Sequence, residues 1–185
     1  GADVGNVSLQ YYNITLDESN LLRDAISYAR DAGMLLVAAT GNNHPQLGTV
    51  AYPARMENVL AVSATNNKDA FCETITPTTC TFVSNYGNET DLCAPGNQIY
   101  STWSNGSYTF LSGTSMATPH VTGLAALVKS YRIELTPVDL EHILIASADD
   151  KGPVGWDNHY GFGRINAHQA LLTAENWSAV VLERD

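Results

Sequence analysis

An uninterrupted apolar run at residues 34–39, MLLVAA, constrains the fold of this chain more than any other feature. Strands that are buried on both faces of a parallel sheet have such runs, whereas strands with one face in water alternate apolar and polar residues. Two more short strands are predicted, at residues 4–9 and 59–64. Together with an intervening helix, they predict an α/β fold with a largely parallel sheet flanked by helices.

The intervening helix is predicted at residues 17–32. Asp17 is expected to cap its first turn, and Gly33 stands where helices commonly end. Apolar residues recur at helical spacing and predict one buried face, made of Leu21, Leu22, Ala25, Ile26 and Ala29.

The second half of the chain is also predicted to be helical in part. Thr136 and Pro137 have the residue types typical of an N-cap and a first helical position. A chain of 185 residues is long enough for one domain with a sizeable core. We predict one domain at residues 1–175 and a tail at 176–185. Helices are expected at 115–131, from 137 onward and at 166–174, with short strands near Leu92 and Ile99.

Composition argues against several classes of protein. Acidic residues outnumber basic ones by 19 to 9, giving a formal net charge of -10, and such a surface repels the phosphates of nucleic acids. No apolar stretch reaches the roughly 18 residues that a membrane-spanning helix needs. Neither a nucleic acid nor a membrane is therefore expected as a partner. Because the first predicted strand begins almost at Gly1, we also expect that a preceding segment is missing.

The three cysteines predict one small disulfide loop. Cys72 and Cys80 are eight residues apart around a proline and could pair. Cys93 lies in an apolar context and is interpreted as a buried, unpaired residue. Five Asn-x-Ser/Thr sequons suggest a secreted protein.

The segment SGTSMATPHVTG, at residues 112–123, is the most informative for function. Small residues lead directly into a predicted helix, so that Ser115 lies at a helix N-terminus, where unpaired N–H groups stabilise negative charge. Pro119 is expected to be tolerated because the first turn has no internal N–H bonds to lose. An ordinary helix start would have similar residues, so these features alone do not decide between a structural and a catalytic serine.

A second segment, VAATGNNH at residues 37–44, ends the apolar strand with Gly41 and Asn42. It could be a simple Asn/Gly turn. Alternatively, the Asn42 side chain belongs to a site, because α/β proteins place their sites at the carboxyl ends of parallel strands.

Both segments are similar to motifs of the subtilisin-like serine proteases, the subtilase family. GTSMATPHVTG resembles the nucleophile motif nearly letter for letter, with Ser115 at the position of the catalytic serine, and Asn42 matches the oxyanion asparagine. The resemblance runs from Ala2 to about Ala174. Weaker matches keep the same order along the chain: ADVGNVSL at 2–9, YPA at 52–54 and YGFGRIN at 160–166.

The resemblance implies an endopeptidase that acts on protein or peptide substrates through an acyl-enzyme, without a cofactor for catalysis. It also implies a primary substrate pocket with two walls. One departure concerns that pocket, because the family usually has glycine where this chain has Gln10. The implied walls are Ser8, Leu9 and Gln10 on one side and Ala39, Thr40 and Gly41 on the other.

The catalytic aspartate and histidine of the family precede the region that this chain resembles. We therefore expect them in a missing N-terminal segment, and we expect the isolated chain to be inactive. His120 lies about 140° around the helix from Ser115 and is interpreted as a core histidine. No HExxH motif or Cys/His cluster predicts a catalytic metal. The family often carries structural calcium, for which the sequence assigns no ligands. The alternative function is a secreted, non-catalytic, peptide-binding module on a protease-like scaffold.

Overall fold

The computed structural model describes residues 1–43, 49–76 and 78–178. Within these ranges it confirms the predicted α/β architecture, with a four-stranded sheet, a two-stranded hairpin and four helices. The strands are β1 (Val4–Val7), β2 (Leu35–Ala39), β3 (Val59–Thr65), β4 (Leu92–Pro95), β5 (Ile99–Thr102) and β6 (Tyr108–Leu111). The helices are α1 (Leu16–Asp31), α2 (Thr114–Tyr131), α3 (Pro137–Ala146) and α4 (Ala167–Glu175).

The main sheet is parallel throughout, in the order β1-β2-β3-β4. All seven residues of β3 are buried, and four of the five residues of β2 are buried, as their apolar runs predict. Helix α2 packs across all four strands of this sheet. It buries Ala117, Val121, Leu124, Ala125 and Val128 in the larger core cluster, which fixes the start of α2 against the carboxyl ends of the strands.

Helix α1 covers the opposite core cluster, and two details of its prediction are wrong. Thr15, not Asp17, is the N-cap, because Thr15 and Glu18 form a capping box. Leu21 is 73% exposed, and Ala25 is exposed as well. The buried stripe is narrower than predicted and consists of Leu22, Ile26 and Ala29, which follow the helical repeat. Leu21 and Ala25 each lie one residue earlier and are therefore rotated by about 100° away from this stripe.

The other helices and the middle of the chain agree with most expectations. Thr136 caps α3 in a capping box with Asp139, and Asn166 caps α4. The hairpin formed by β5 and β6 contains a strand that the sequence did not predict. No helix in the described part of the chain is both long and apolar enough to cross a membrane.

The cysteines adopt the predicted pairing. Cys72 and Cys80 form a disulfide with their Cα atoms 5.5 Å apart, and Cys93 is a buried free thiol in β4. Burial raises the pKa of the Cys93 thiol far above its usual range. Cys93 is therefore a small apolar core residue rather than a reactive one.

Candidate active site

Three segments converge at the carboxyl ends of β1 and β2. Ser8–Gln10 follow β1, Gly41–Asn43 follow β2, and Ser115 is the second residue of α2. Because α2 crosses the sheet, its N-terminus lies against these strand ends. The structure thus brings together the residues that the sequence singled out.

The Asn42 side chain is held by the start of α2. Its Oδ1 atom accepts a hydrogen bond from the backbone N–H of Thr114 at 2.8 Å and another from the Thr114 hydroxyl at 3.1 Å. The same hydroxyl accepts from the N–H of Gly41 at 3.2 Å. With Oδ1 occupied in this way, the Nδ2 group of Asn42 remains available as a donor.

A second donor lies next to Asn42. The backbone N–H of Ser115 forms no hydrogen bond to a described residue, as expected for the first turn of a helix. Gly113 precedes α2 with φ 154° and ψ 164°, a conformation accessible essentially to glycine alone. A Cβ at Gly113 would lie 3.4 Å from Asn42 Nδ2, so glycine also keeps the space beside this amide open.

The Ser115 side chain is partly buried, and its backbone is tied to the end of β1. The Ser8 hydroxyl donates to the carbonyl of Ser115 at 2.9 Å, and the Ser115 hydroxyl donates weakly to the carbonyl of Ser8 at 3.5 Å. The explanation given above for Pro119 is wrong, because Pro119 is the sixth residue of α2. Proline cannot donate to the carbonyl four residues earlier, which is that of Ser115, and Ser8 supplies a donor instead.

The two predicted walls differ in their exposure. Leu9 is 54% exposed, whereas Ala39 and Thr40 are buried, and the Thr40 hydroxyl donates to the carbonyl of Asn85. Gln10 reaches from the first wall to the residues after the second: its Oε1 accepts from the N–H of Asn42 at 3.0 Å, and its Nε2 donates to Oδ1 of Asn43 at 3.2 Å.

Sequence reasoning missed three residues that organise this site. Thr114 orients Asn42, as described above. Asn85 donates from Nδ2 to the Tyr12 hydroxyl at 2.7 Å and accepts from the N–H of Asn43 at 2.7 Å. Burial raises the pKa of Tyr12, while the hydrogen bond from Asn85 opposes this change. Thr114 belongs to the nucleophile motif, but nothing in the sequence around Tyr12 and Asn85 indicates a site.

No base accompanies Ser115 within the described residues, where its hydroxyl is bonded only to Ser8. The interpretation of His120 as a core residue is wrong: it is exposed, and its Nδ1 donates to the carbonyl of Met116 at 2.8 Å. His159 stacks on Tyr86. His44, which follows the oxyanion segment, lies outside the described residues.

The described residues do not locate the structural calcium ion that the family resemblance suggests. Across residues 1–43, 49–76 and 78–178, no three His, Cys, Asp or Glu side chains are grouped so that they could hold a metal. Asp69 and Asp149 both pair with Arg164. We therefore assign no calcium ligands.

Comparisons with known proteins identify the family of this chain. The family model described as the subtilase family, Peptidase S8, matches residues 1–163. Subtilisin Savinase of Lederbergia lenta is 38% identical over 172 residues, covering 90% of this chain and 58% of that protein. The minor extracellular protease Epr of Bacillus subtilis is 38% identical over 177 residues, covering 96% of this chain and 25% of that protein. A lanthipeptide protease crystal structure superposes with a TM-score of 0.78 at 25% identity, covering 94% of this chain and 62% of that one.

The parallel sheet, the serine at a helix N-terminus and the extent of the match define the class of protein. The chain belongs to the subtilase family of subtilisin-like serine proteases. It spans well under two thirds of the length of the curated relatives named here.

Proposed function

We propose that this chain is the part of a serine endopeptidase that carries the nucleophile and the oxyanion donors. The observation that carries this proposal is the pair of hydrogen bonds from Thr114 to Oδ1 of Asn42. They leave Nδ2 of Asn42 free to donate, and the N–H of Ser115 at the start of α2 is a second available donor. Preorganised donors of this kind stabilise the charge that develops on a carbonyl oxygen during acyl transfer.

In the proposed reaction, Ser115 Oγ attacks the carbonyl carbon of the scissile peptide bond, and its proton passes to a histidine. The tetrahedral oxyanion accepts hydrogen bonds from Asn42 Nδ2 and from the N–H of Ser115. Collapse of this intermediate expels the leaving amine, which takes the proton from the histidine, and water then hydrolyses the acyl-enzyme. The histidine and the aspartate that orients it come from a segment outside these 185 residues.

The proposed substrates are proteins or peptides whose backbone lies between the segments Ser8–Gln10 and Ala39–Gly41. We also propose that the protein is secreted. The disulfide between Cys72 and Cys80 and the extracellular relative from Bacillus subtilis support this location, because disulfides persist in oxidising compartments. The domain is proposed to end near residue 175, at the end of α4.

Labelling with a fluorophosphonate probe tests the proposal. The 185-residue chain alone should react no faster than its Ser115→Ala variant, because no described base contacts Ser115. The protein expressed from its complete coding sequence should be labelled at Ser115 and should hydrolyse peptides. A complete protein that binds peptides without labelling or hydrolysis would instead be the non-catalytic binding module.

A further inference from the structure

The Gln10 side chain reaches from one wall of the proposed substrate pocket, past Gly41, to the residues that follow the other wall. Its carboxamide forms two hydrogen bonds to the residues that directly follow the opposite wall, one with the N–H of Asn42 and one with the Asn43 side chain. A bridge with a donor on one side and an acceptor on the other holds the amide in one orientation. The two segments that would form the walls are therefore linked through this side chain.

The space facing Gly41 is also filled below this bridge. A Cβ placed on Gly41 would lie 2.5 Å from the Tyr12 hydroxyl, 2.7 Å from Nδ2 of Asn85 and 3.1 Å from Oε1 of Gln10. Gly41 has φ +107°, a conformation that favours glycine. Three polar groups thus converge on Gly41, and two of them, from Asn85 and Tyr12, are joined by a hydrogen bond.

We propose that Gln10 closes this pocket and selects substrates with a small side chain, that of glycine, alanine or serine, at the residue whose carbonyl is attacked. The inference rests on the proposed endopeptidase function and adds its substrate preference. A small side chain fits without moving Gln10. A large one must displace the carboxamide, which breaks two hydrogen bonds and leaves the N–H of Asn42 without that partner.

The expected discrimination follows from those two hydrogen bonds. Breaking them without replacement should disfavour a large side chain by about tenfold or more, within the range that side-chain pockets reach. Gln10 also binds the backbone of Asn42, so removing the Gln10 side chain could lower kcat/KM for every substrate by the same factor. The ratio of the kcat/KM values for two substrates of the same enzyme cancels that common factor and isolates the role of Gln10 in the pocket.

The first experiment compares two peptide substrates that differ only in alanine or phenylalanine before the scissile bond. The complete protein should show a kcat/KM for alanine at least about tenfold above that for phenylalanine. Gln10→Ala should remove or reverse this preference. Gln169→Ala, which truncates an exposed glutamine on α4, should leave it unchanged. A wild-type preference for phenylalanine, or the same ratio in Gln10→Ala, would overturn the inference.

A second experiment separates this inference from the proposed function. In the complete protein carrying Ser115→Ala, fluorescence anisotropy measures the binding of product peptides that end in alanine or in phenylalanine. Tighter binding of the alanine peptide, lost when Gln10→Ala is added, supports the inference even if the wild-type protein cleaves nothing. Equal binding of the two peptides, or no binding of either, contradicts it even if the wild-type protein is an active protease.

Discussion

The Ser8 hydroxyl donates a 2.9 Å hydrogen bond to the backbone carbonyl of Ser115, 107 residues further along the chain. In an uninterrupted helix, this carbonyl would accept from the N–H of residue 119, but Pro119 has none. One proline in α2 therefore frees an acceptor at the proposed nucleophile, and the end of β1 supplies its donor. This contact ties the edge of the sheet to the start of the helix.

Ser8→Ala should lower the free energy of unfolding by about 1 to 2 kcal/mol, because it leaves a partly buried carbonyl without its donor. The cost should shrink in a Pro119→Ala background, where residue 119 can donate to the same carbonyl. Denaturant unfolding of the wild type, both single variants and the double variant measures this coupling. Equal costs of Ser8→Ala in the two backgrounds would contradict the link.

Asn42→Ala should raise the activation barrier by about 3 kcal/mol and so lower turnover, with little change in KM. The reason is that the amide donates a hydrogen bond to an oxygen that is fully charged only in the tetrahedral state. This magnitude is the one known for the oxyanion asparagine of subtilisin, a member of the same family. Steady-state kinetics normalised to active-site concentration measure the loss, and thermal unfolding provides the control. If Asn42 were only a structural residue of an Asn/Gly turn, the variant would instead have a lower melting temperature and normal turnover.

Thr114→Val should lower turnover by about tenfold, because it removes one of the two hydrogen bonds that orient Asn42 and leaves the N–H of Gly41 unpaired. Thr114→Ser keeps the hydroxyl and should retain most of the activity. If Thr114 acts through Asn42, adding Thr114→Val to Asn42→Ala should cost little further turnover. Fully additive losses would show that the two residues act separately.

The disulfide between Cys72 and Cys80 should be present in the isolated protein and should contribute about 2 kcal/mol of stability by chain entropy. Peptide mapping without reduction should give one cross-linked peptide from these two residues. Cys93 should react with a maleimide only after unfolding, since burial raises its pKa and blocks access. Rapid labelling of Cys93 in the native protein would contradict its assignment to the core.

Asp91 should make the protein less stable as pH rises from about 4 to about 7. Burial raises its pKa from 3.8 to about 7, against a hydrogen bond from the N–H of Ala61 that lowers it and with a smaller increase from Glu141. The folded state binds the proton more tightly than the unfolded state. The stabilisation that Asp91 provides is therefore complete below the pKa of the unfolded state. It is lost as the pH rises through the folded-state pKa of about 7.

The pH dependence of unfolding tests this expectation on Asp91. The slope from this group is at most about 1.4 kcal/mol per pH unit. Asp91→Asn should flatten the curve across this interval, because the amide oxygen can still accept from Ala61. Asp24→Asn, on an exposed part of α1, should keep the wild-type slope. A slope that survives in Asp91→Asn would assign the effect to other groups.

The strands and helices were largely predictable because they depend on local patterns. The run at residues 34–39 predicted a buried strand, and Leu35–Ala39 forms one at the centre of a parallel sheet. The cap of α3 by Thr136 was also predictable, since a cap involves neighbours a few residues away, although the same reasoning wrongly chose Asp17 instead of Thr15 for α1. The exposure of Leu21 was not, because it depends on how α1 packs against the sheet.

The sequence by itself determined the family, the α/β class and the two segments that carry Ser115 and Asn42, because each is written in consecutive residues. Only the tertiary structure decided which partners those residues have. Thr114 orients Asn42, Ser8 binds the carbonyl that Pro119 leaves free, and Gln10 binds the N–H of Asn42. These contacts join residues 32 to 107 positions apart. They form only when the pairing of β1 with β2 and the packing of α2 on the sheet bring the strand ends and the helix start together.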